Sequence, residues 1–225
     1  MNTKRQHIII ALVFICSMVS SYSQARKDET APDSLSHDSI KQIVYTGLSK
    51  NVVDYLEANP NAKHLSQFLT KYYGIEIDSN QAILLNIAAS NYGLQDIIGD
   101  SSNADVIRFF TETNHPEIID DETSWCSIYM CWCAQIARLE SSSSLLARSW
   151  LDVGTVVEKP KTGDIVIFWR EKQRSWQGHV SIFINEDPET HQVYCLGGNQ
   201  DDKVCVKSYP AEQVLGYRRL NVIAE

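Results

Sequence analysis

The pattern of apolar residues changes at Gly154, and that change restricts the fold more than any other feature of the chain. Before it, apolar positions recur at helical spacing: Ile40, Ile43, Val44, Leu48, Val52, Val53 and Leu56 form one stripe, broken by Asn59-Pro60-Asn61. A short helix is predicted from His64 to Tyr73, stopped by Gly74. A stronger one runs from Gln81 to Tyr92, with Ser79 or Asn80 as its cap and Gly93 as its stop. Asp105 to Thr111 and Trp125 to Leu139 read as further helices, and Leu145 to Leu151 as a helical turn. After Gly154 the apolar runs become short and turn-bounded: Asp164–Trp169, His179–Asn185, Gln192–Leu196, Val204–Ser208 and Val214–Arg219. Helices followed by short strands with tight turns predict an α+β fold with a small antiparallel sheet.

The N-terminus reads as an export signal. Lys4 and Arg5 precede an apolar run from Ile8 to Val19, and small residues near Ser21 to Ala25 offer a cleavage site. The run is about 12 residues, short of the roughly 20 that span a bilayer. A lipoprotein signal at Cys16 and an uncleaved anchor are the rivals; bulky Val13-Phe14-Ile15 speaks against the first. The chain therefore divides into a signal peptide (1–24), a polar linker (25–38), a small helical appendage (39–77) and a main domain (78–225). Loss of Lys4 and Arg5 takes the formal net charge from −8 to −10. Such an acidic chain has no electrostatic footprint for nucleic acid. A monomer is expected, and residues 39–77 are the segment available to a protein partner.

Six cysteines become five without Cys16, an odd number that in an exported protein flags a free thiol. Cys195 and Cys205 flank a turn and either pair across it or sit as buried small hydrophobes. No Cys-x-x-Cys pair points to zinc, and no metal or organic cofactor is expected. Cys126 stands apart. Asp120-Asp121-Glu122-Thr123-Ser124 precedes it and suits a helix start, and Asp121 reads as a helix-terminal carboxylate. A thiol in a helix's first turn is favoured as thiolate by the dipole, and the free N–H groups there can hold an oxyanion. It needs a base and a group to orient that base. His179, entering an apolar strand after Gly178, is a candidate base; taken alone it reads as readily as a core histidine. Asn199, after the next strand in Gly197-Gly198-Asn199, is a candidate orienter; taken alone it is turn chemistry.

Taken together these residues follow the papain-like order, and the chain resembles the NlpC-type and CHAP (cysteine, histidine-dependent amidohydrolase/peptidase) hydrolases of bacterial cell walls. The resemblance rests on Ala88 to Gly99, Asp121 to Cys126, Ala147 to Leu151, Thr162 to Val166, Gly178-His179-Val180, Leu196 to Gln200 and Leu215 to Arg219, and covers residues 82–225. It implies Cys126 as nucleophile, His179 as base and Asn199 as orienter, with Cys126 sulfur about 3–4 Å from a His179 ring nitrogen. Many CHAP enzymes carry a Glu two residues before the Asn; here that position is Gly197. Trp176, just before His179 in a polar stretch, Trp125 and Asp96 are candidate substrate contacts, although Trp125 reads more readily as core and Asp96 as a surface carboxylate. The implied substrate is peptidoglycan, cut in its stem peptides by an exported, cofactor-free cysteine peptidase. The alternatives are an N-acetylmuramoyl-L-alanine amidase or acyltransferase on the same fold, and a non-catalytic wall- or partner-binding module.

Overall fold

The computed structural model describes residues 37–97, 99 and 101–224. The expected signal peptide and residues 25–36 of the expected linker lie outside them. Five helices come first: α1 (His37–Ala58), α2 (Leu65–Tyr73), α3 (Ser79–Ala89), α4 (Ala104–Glu112) and α5 (Cys126–Ile136). A 3₁₀ turn, Ala147–Asp152, leads into six strands: β1 (Thr155–Val157), β2 (Ile165–Trp169), β3 (Gly178–Asp187), β4 (Gln192–Gly197), β5 (Cys205–Pro210) and β6 (Val214–Arg219). The strands form one antiparallel sheet in the order β1-β6-β2-β3-β4-β5. The architecture is thus α+β, with the helix that begins at Cys126 packed on the sheet.

Ile43–Glu225 is one compact unit; of the preceding unit, Met1–Gln42, only the opening residues of α1 are described. The segment expected as an appendage sends Leu48, Val52, Leu56, Leu65 and Leu69 into the same core as α3, α4, α5 and the sheet. Each of these leucines and valines is essentially inaccessible, which is worth about 1.5–3 kcal/mol per side chain.

Strand alternation splits β3 between two environments. Val180, Ile182 and Ile184 face the main core with the helices. Phe183 belongs to a second cluster with Val166, Phe168, Val193 and Cys195. His179 and Ser181 share that second face. The ring of His179 lies 5.1 Å from Tyr209 and 6.4 Å from Phe168. The histidine therefore sits on an aromatic bed at the entry of β3.

Candidate active site

Cys126 is the first residue of α5, and the Tyr129 N–H closes the first helical turn onto the Trp125 carbonyl at 2.9 Å. The first-turn N–H groups are left without helical partners. Those of Cys126 and Ser127, with that of Val180 from β3, point at the sulfur. The thiol is 5% exposed and opens onto a cavity of about 120 Å³ walled by Leu145, Leu146, Ala147, Arg170, Trp176 and Gly178. Burial pushes the Cys126 thiol up, against the Arg170 charge and those N–H groups. At rest it is a thiol. The helix start lowers the cost of a thiolate without making it the resting form.

His179 is fully buried. Its Nε2 lies 3.0 Å from Gln200 Oε1 and 2.7 Å from Ser181 Oγ. The amide of Gln200 can face only one way, because its Nε2 donates to the carbonyls of Cys205 (2.5 Å) and Cys195 (3.4 Å). Its Oε1 must then accept, so the imidazole carries its proton on Nε2 and keeps a lone pair on Nδ1. Arg170 Nη2 donates to that Nδ1 at 3.3 Å. Burial and the Arg170 charge push His179 down to about 3, so it stays neutral. Among the described residues no hydrogen bond joins Cys126 sulfur to His179, contrary to the expected contact: Arg170 holds the nitrogen that the thiol would use.

The expected orienter does not orient. Asn199 takes a left-handed φ of 53°, is half-buried, and among the described residues makes no side-chain hydrogen bond. It serves the turn, and the next residue, Gln200, reaches the imidazole. Gly197 has a related explanation. A Cβ there would lie 2.2 Å from Ser181 Oγ and 3.3 Å from Gln200 Oε1. The space a side chain at 197 would fill is occupied by the two groups that hold His179. Gly178 is needed too, since a Cβ would meet the Phe168 carbonyl at 2.8 Å.

Trp125 is not a substrate contact. It is wholly buried, packs edge-on against Tyr129 at 6.0 Å, and covers Gly198, whose Cβ would sit 2.4 Å from the indole. Its N–H donates to Asp96 at 2.6 Å. The Asp96 loop is tied in turn to the turn after β4, through Asp96 N–H to Asp202 and Gly93 N–H to Val204, both at 2.8 Å. Asp96 thus fixes the residue before Cys126 rather than facing the cavity. Asp121 does not terminate α5: it accepts the N–H groups of Ile97 (3.0 Å) and Asn103 (2.7 Å). Trp176 alone of the three candidate contacts lines the cavity, 73% exposed.

Burial, with the charges of Asp121, Asp202 and Glu122, raises Asp96 from its usual 3.8 to about 6, against the indole hydrogen bond. A carboxyl that binds its proton more tightly in the fold contributes most below pH 3.8 and loses that contribution as pH rises through 6. Asp96→Asn keeps an acceptor for Trp125 and cannot titrate. Its stability relative to wild type is expected to improve by about 1 kcal/mol between pH 4 and 7, allowing for solvent screening. Urea unfolding at both pH values checks this, and a pH-independent difference would refute it.

Arg148 also bears on the site. It donates to the carbonyls of Gln177 (2.9 Å) and Gln173 (2.8 Å) and so braces the β2–β3 loop that carries Arg170 and Trp176. All five cysteines from Cys126 to Cys205 are free thiols. Cys195 and Cys205 stand opposite Lys207 and Gly197, offset by two residues, so they do not pair. A larger cavity, about 270 Å³, lies between the start of α3 and Arg219, away from Cys126. Among the described residues no group of three or more His, Cys, Asp or Glu side chains is placed to hold a metal ion.

No family model matches the chain, and no curated protein matches it. Among solved structures it is similar to a protein described as similar to a lipoprotein of the NLP/P60 family, from Staphylococcus aureus subsp. aureus Mu50, at 20% identity and a TM-score of 0.40. The match covers 72% of this chain and 48% of that one, so this chain spans about half that protein's length.

Proposed function

We propose that this chain is an exported, monomeric cysteine hydrolase that cuts an amide bond in peptidoglycan stem peptides, with residues 78–225 as its catalytic part. The observation that carries the reading is one geometry: a thiol in the first turn of α5, at a cavity lined by Arg170, and a histidine whose Nδ1 meets that same Arg170 and whose Gln200-fixed tautomer leaves that nitrogen with a lone pair. The sequence motifs around Cys126, His179 and Gln200 support the substrate class through the papain-like, cell-wall-hydrolase pattern they resemble.

The chemistry follows from the tautomer. Sulfur gives its proton to His179 Nδ1, and the thiolate attacks the amide carbonyl carbon. First-turn N–H groups of α5 stabilise the oxyanion. The C–N bond breaks as Nδ1 passes its proton to the leaving nitrogen, and a thioester remains. Water then gives a proton to Nδ1 and attacks the thioester. The C–S bond breaks, the acid leaves, and sulfur recovers the proton. Through both imidazolium stages the Nε2–H stays donated to Gln200 and Ser181.

That Arg170 rather than Cys126 holds Nδ1 favours one second reading, a wall-binding module without activity. One experiment separates the two. Purified peptidoglycan is incubated with the mature chain, and the soluble fragments are read by mass spectrometry. Hydrolysis gives fragments with one new amine and one new carboxyl end within the stem peptide. A cut at the sugar–peptide amide would make the chain an amidase, and no fragments above the untreated wall would sink the hydrolase reading.

A further inference from the structure

We infer that Arg170 reads a carboxylate on the substrate, and that taking up this carboxylate withdraws its guanidinium from His179 Nδ1 and so releases the base toward Cys126. The inference rests on the hydrolase reading above and adds to it both a specificity determinant and a resting state.

The environment of Arg170 is unusual for an arginine. It follows the last residue of β2, is solvent-exposed, and lines the same cavity as Cys126. Among the described residues no carboxylate pairs with it. Its side-chain partners are neutral: the imidazole nitrogen at 3.3 Å, longer than a charge-assisted hydrogen bond prefers, and the Tyr209 hydroxyl. A planar guanidinium matches a carboxylate in a two-pronged fit, which an imidazole nitrogen cannot offer. An arriving carboxylate therefore outcompetes Nδ1.

The rest of the cavity makes the choice of ligand selective. Its other walls are uncharged: apolar Leu145, Leu146, Ala147, Trp176 and Gly178, with polar Ser124 and Gln177. Among the described residues Arg170 is the one charged side chain lining it. A neutral or cationic substrate brings no anion to draw the guanidinium off the imidazole. The loop backbone can stay still meanwhile, because Arg148 braces it at Gln173 and Gln177. Only the Arg170 side chain needs to swing. With it on Nδ1, the thiol has no base; with it on a carboxylate, Nδ1 is open and the positive charge beside it is neutralised.

The test reads Cys126 directly and does not depend on wall digestion. Full mature protein is treated with iodoacetamide, an uncharged reagent, and alkylation at Cys126 is followed by peptide mapping. N-acetylglutamate is the carboxylate probe and its uncharged diamide the control. Wild type is expected to react about tenfold faster with N-acetylglutamate present, the ratio that goes with displacing one charged hydrogen bond. The diamide should leave the rate unchanged. Arg170→Met should react fast without either compound and respond to neither; Arg170→Lys should keep part of the response. Equal wild-type rates with and without N-acetylglutamate, or an Arg170→Met protein that still responds, would overturn the inference. Circular dichroism on both variants guards against misfolding. If alkylation responds to the carboxylate while peptidoglycan stays intact, Arg170's role stands and the substrate reading fails. If peptidoglycan is cut while alkylation does not respond, the reverse holds.

Discussion

Replacing Cys126 by alanine is expected to lower peptidoglycan hydrolysis by about 10³-fold or more, because the acyl-enzyme route then has no nucleophile. His179→Ala should lose nearly as much, and the double variant no more than either single one, since nucleophile and base act as one unit. The fold should survive: Cys126 is small and opens on a cavity, so the truncation leaves little new void. The other thiols provide an internal control. Cys131 and Cys133 are buried away from the cavity, and desolvation pushes the Cys133 thiol well up. Their alanine variants should keep activity within about threefold, as substitutions away from the reacting atoms do. Initial rates on purified wall, with unfolding curves for each variant, decide it. A Cys126→Ala protein retaining more than a tenth of wild-type activity, taken as about 1.4 kcal/mol of barrier, refutes the mechanism.

The elements of this fold are legible in the sequence because each long one carries a period. α3, α5, β2 and β3 fall within a few residues of their predicted bounds, since their stripes or apolar runs are set by burial on one side or both. β1 is not legible. It is three residues at the sheet edge with an exposed Val156, so no alternation marks it. At the site, helix start and strand entry were readable from local residues, which is why Cys126 and His179 stand out. What surrounds them depends on contacts across the sheet. Ser181 was within reach, two residues past His179 and so on its face. Arg170 was not, because its meeting with Nδ1 depends on where the β2–β3 loop places a long side chain. Trp125 and Asp96 both lie in motifs that carry the resemblance, but their bond to each other spans 29 residues.

The second large effect concerns Gln200, and it separates two neighbours in one turn. Gln200→Ala removes both the acceptor for His179 Nε2–H and the donor to the carbonyls of Cys195 and Cys205. The ring is then free to take the other tautomer, with its proton on Nδ1 and no lone pair for the thiol. Holding the wrong tautomer costs about 10⁴-fold in the serine-triad template, so a loss of about 10²–10³ is expected here, where Ser181 still contacts Nε2. Asn199→Ala touches neither group. It places alanine at a left-handed φ of 53° and should cost about 1 kcal/mol of stability with activity within about threefold. Asn199→Gly should restore that stability, because glycine adopts the conformation without strain. The kinetic signature distinguishes positioning from binding: Gln200→Ala should lower kcat with KM nearly unchanged, and the acid limb of its pH profile should move, since the group that steadies the imidazolium is gone. A carboxylate at position 197 could not stand in for Gln200, because Ser181 already fills the space its Cβ would enter. Equal losses for Gln200→Ala and Asn199→Ala would return the orienting role to the turn as a whole; a loss confined to Asn199→Ala would reassign it to Asn199.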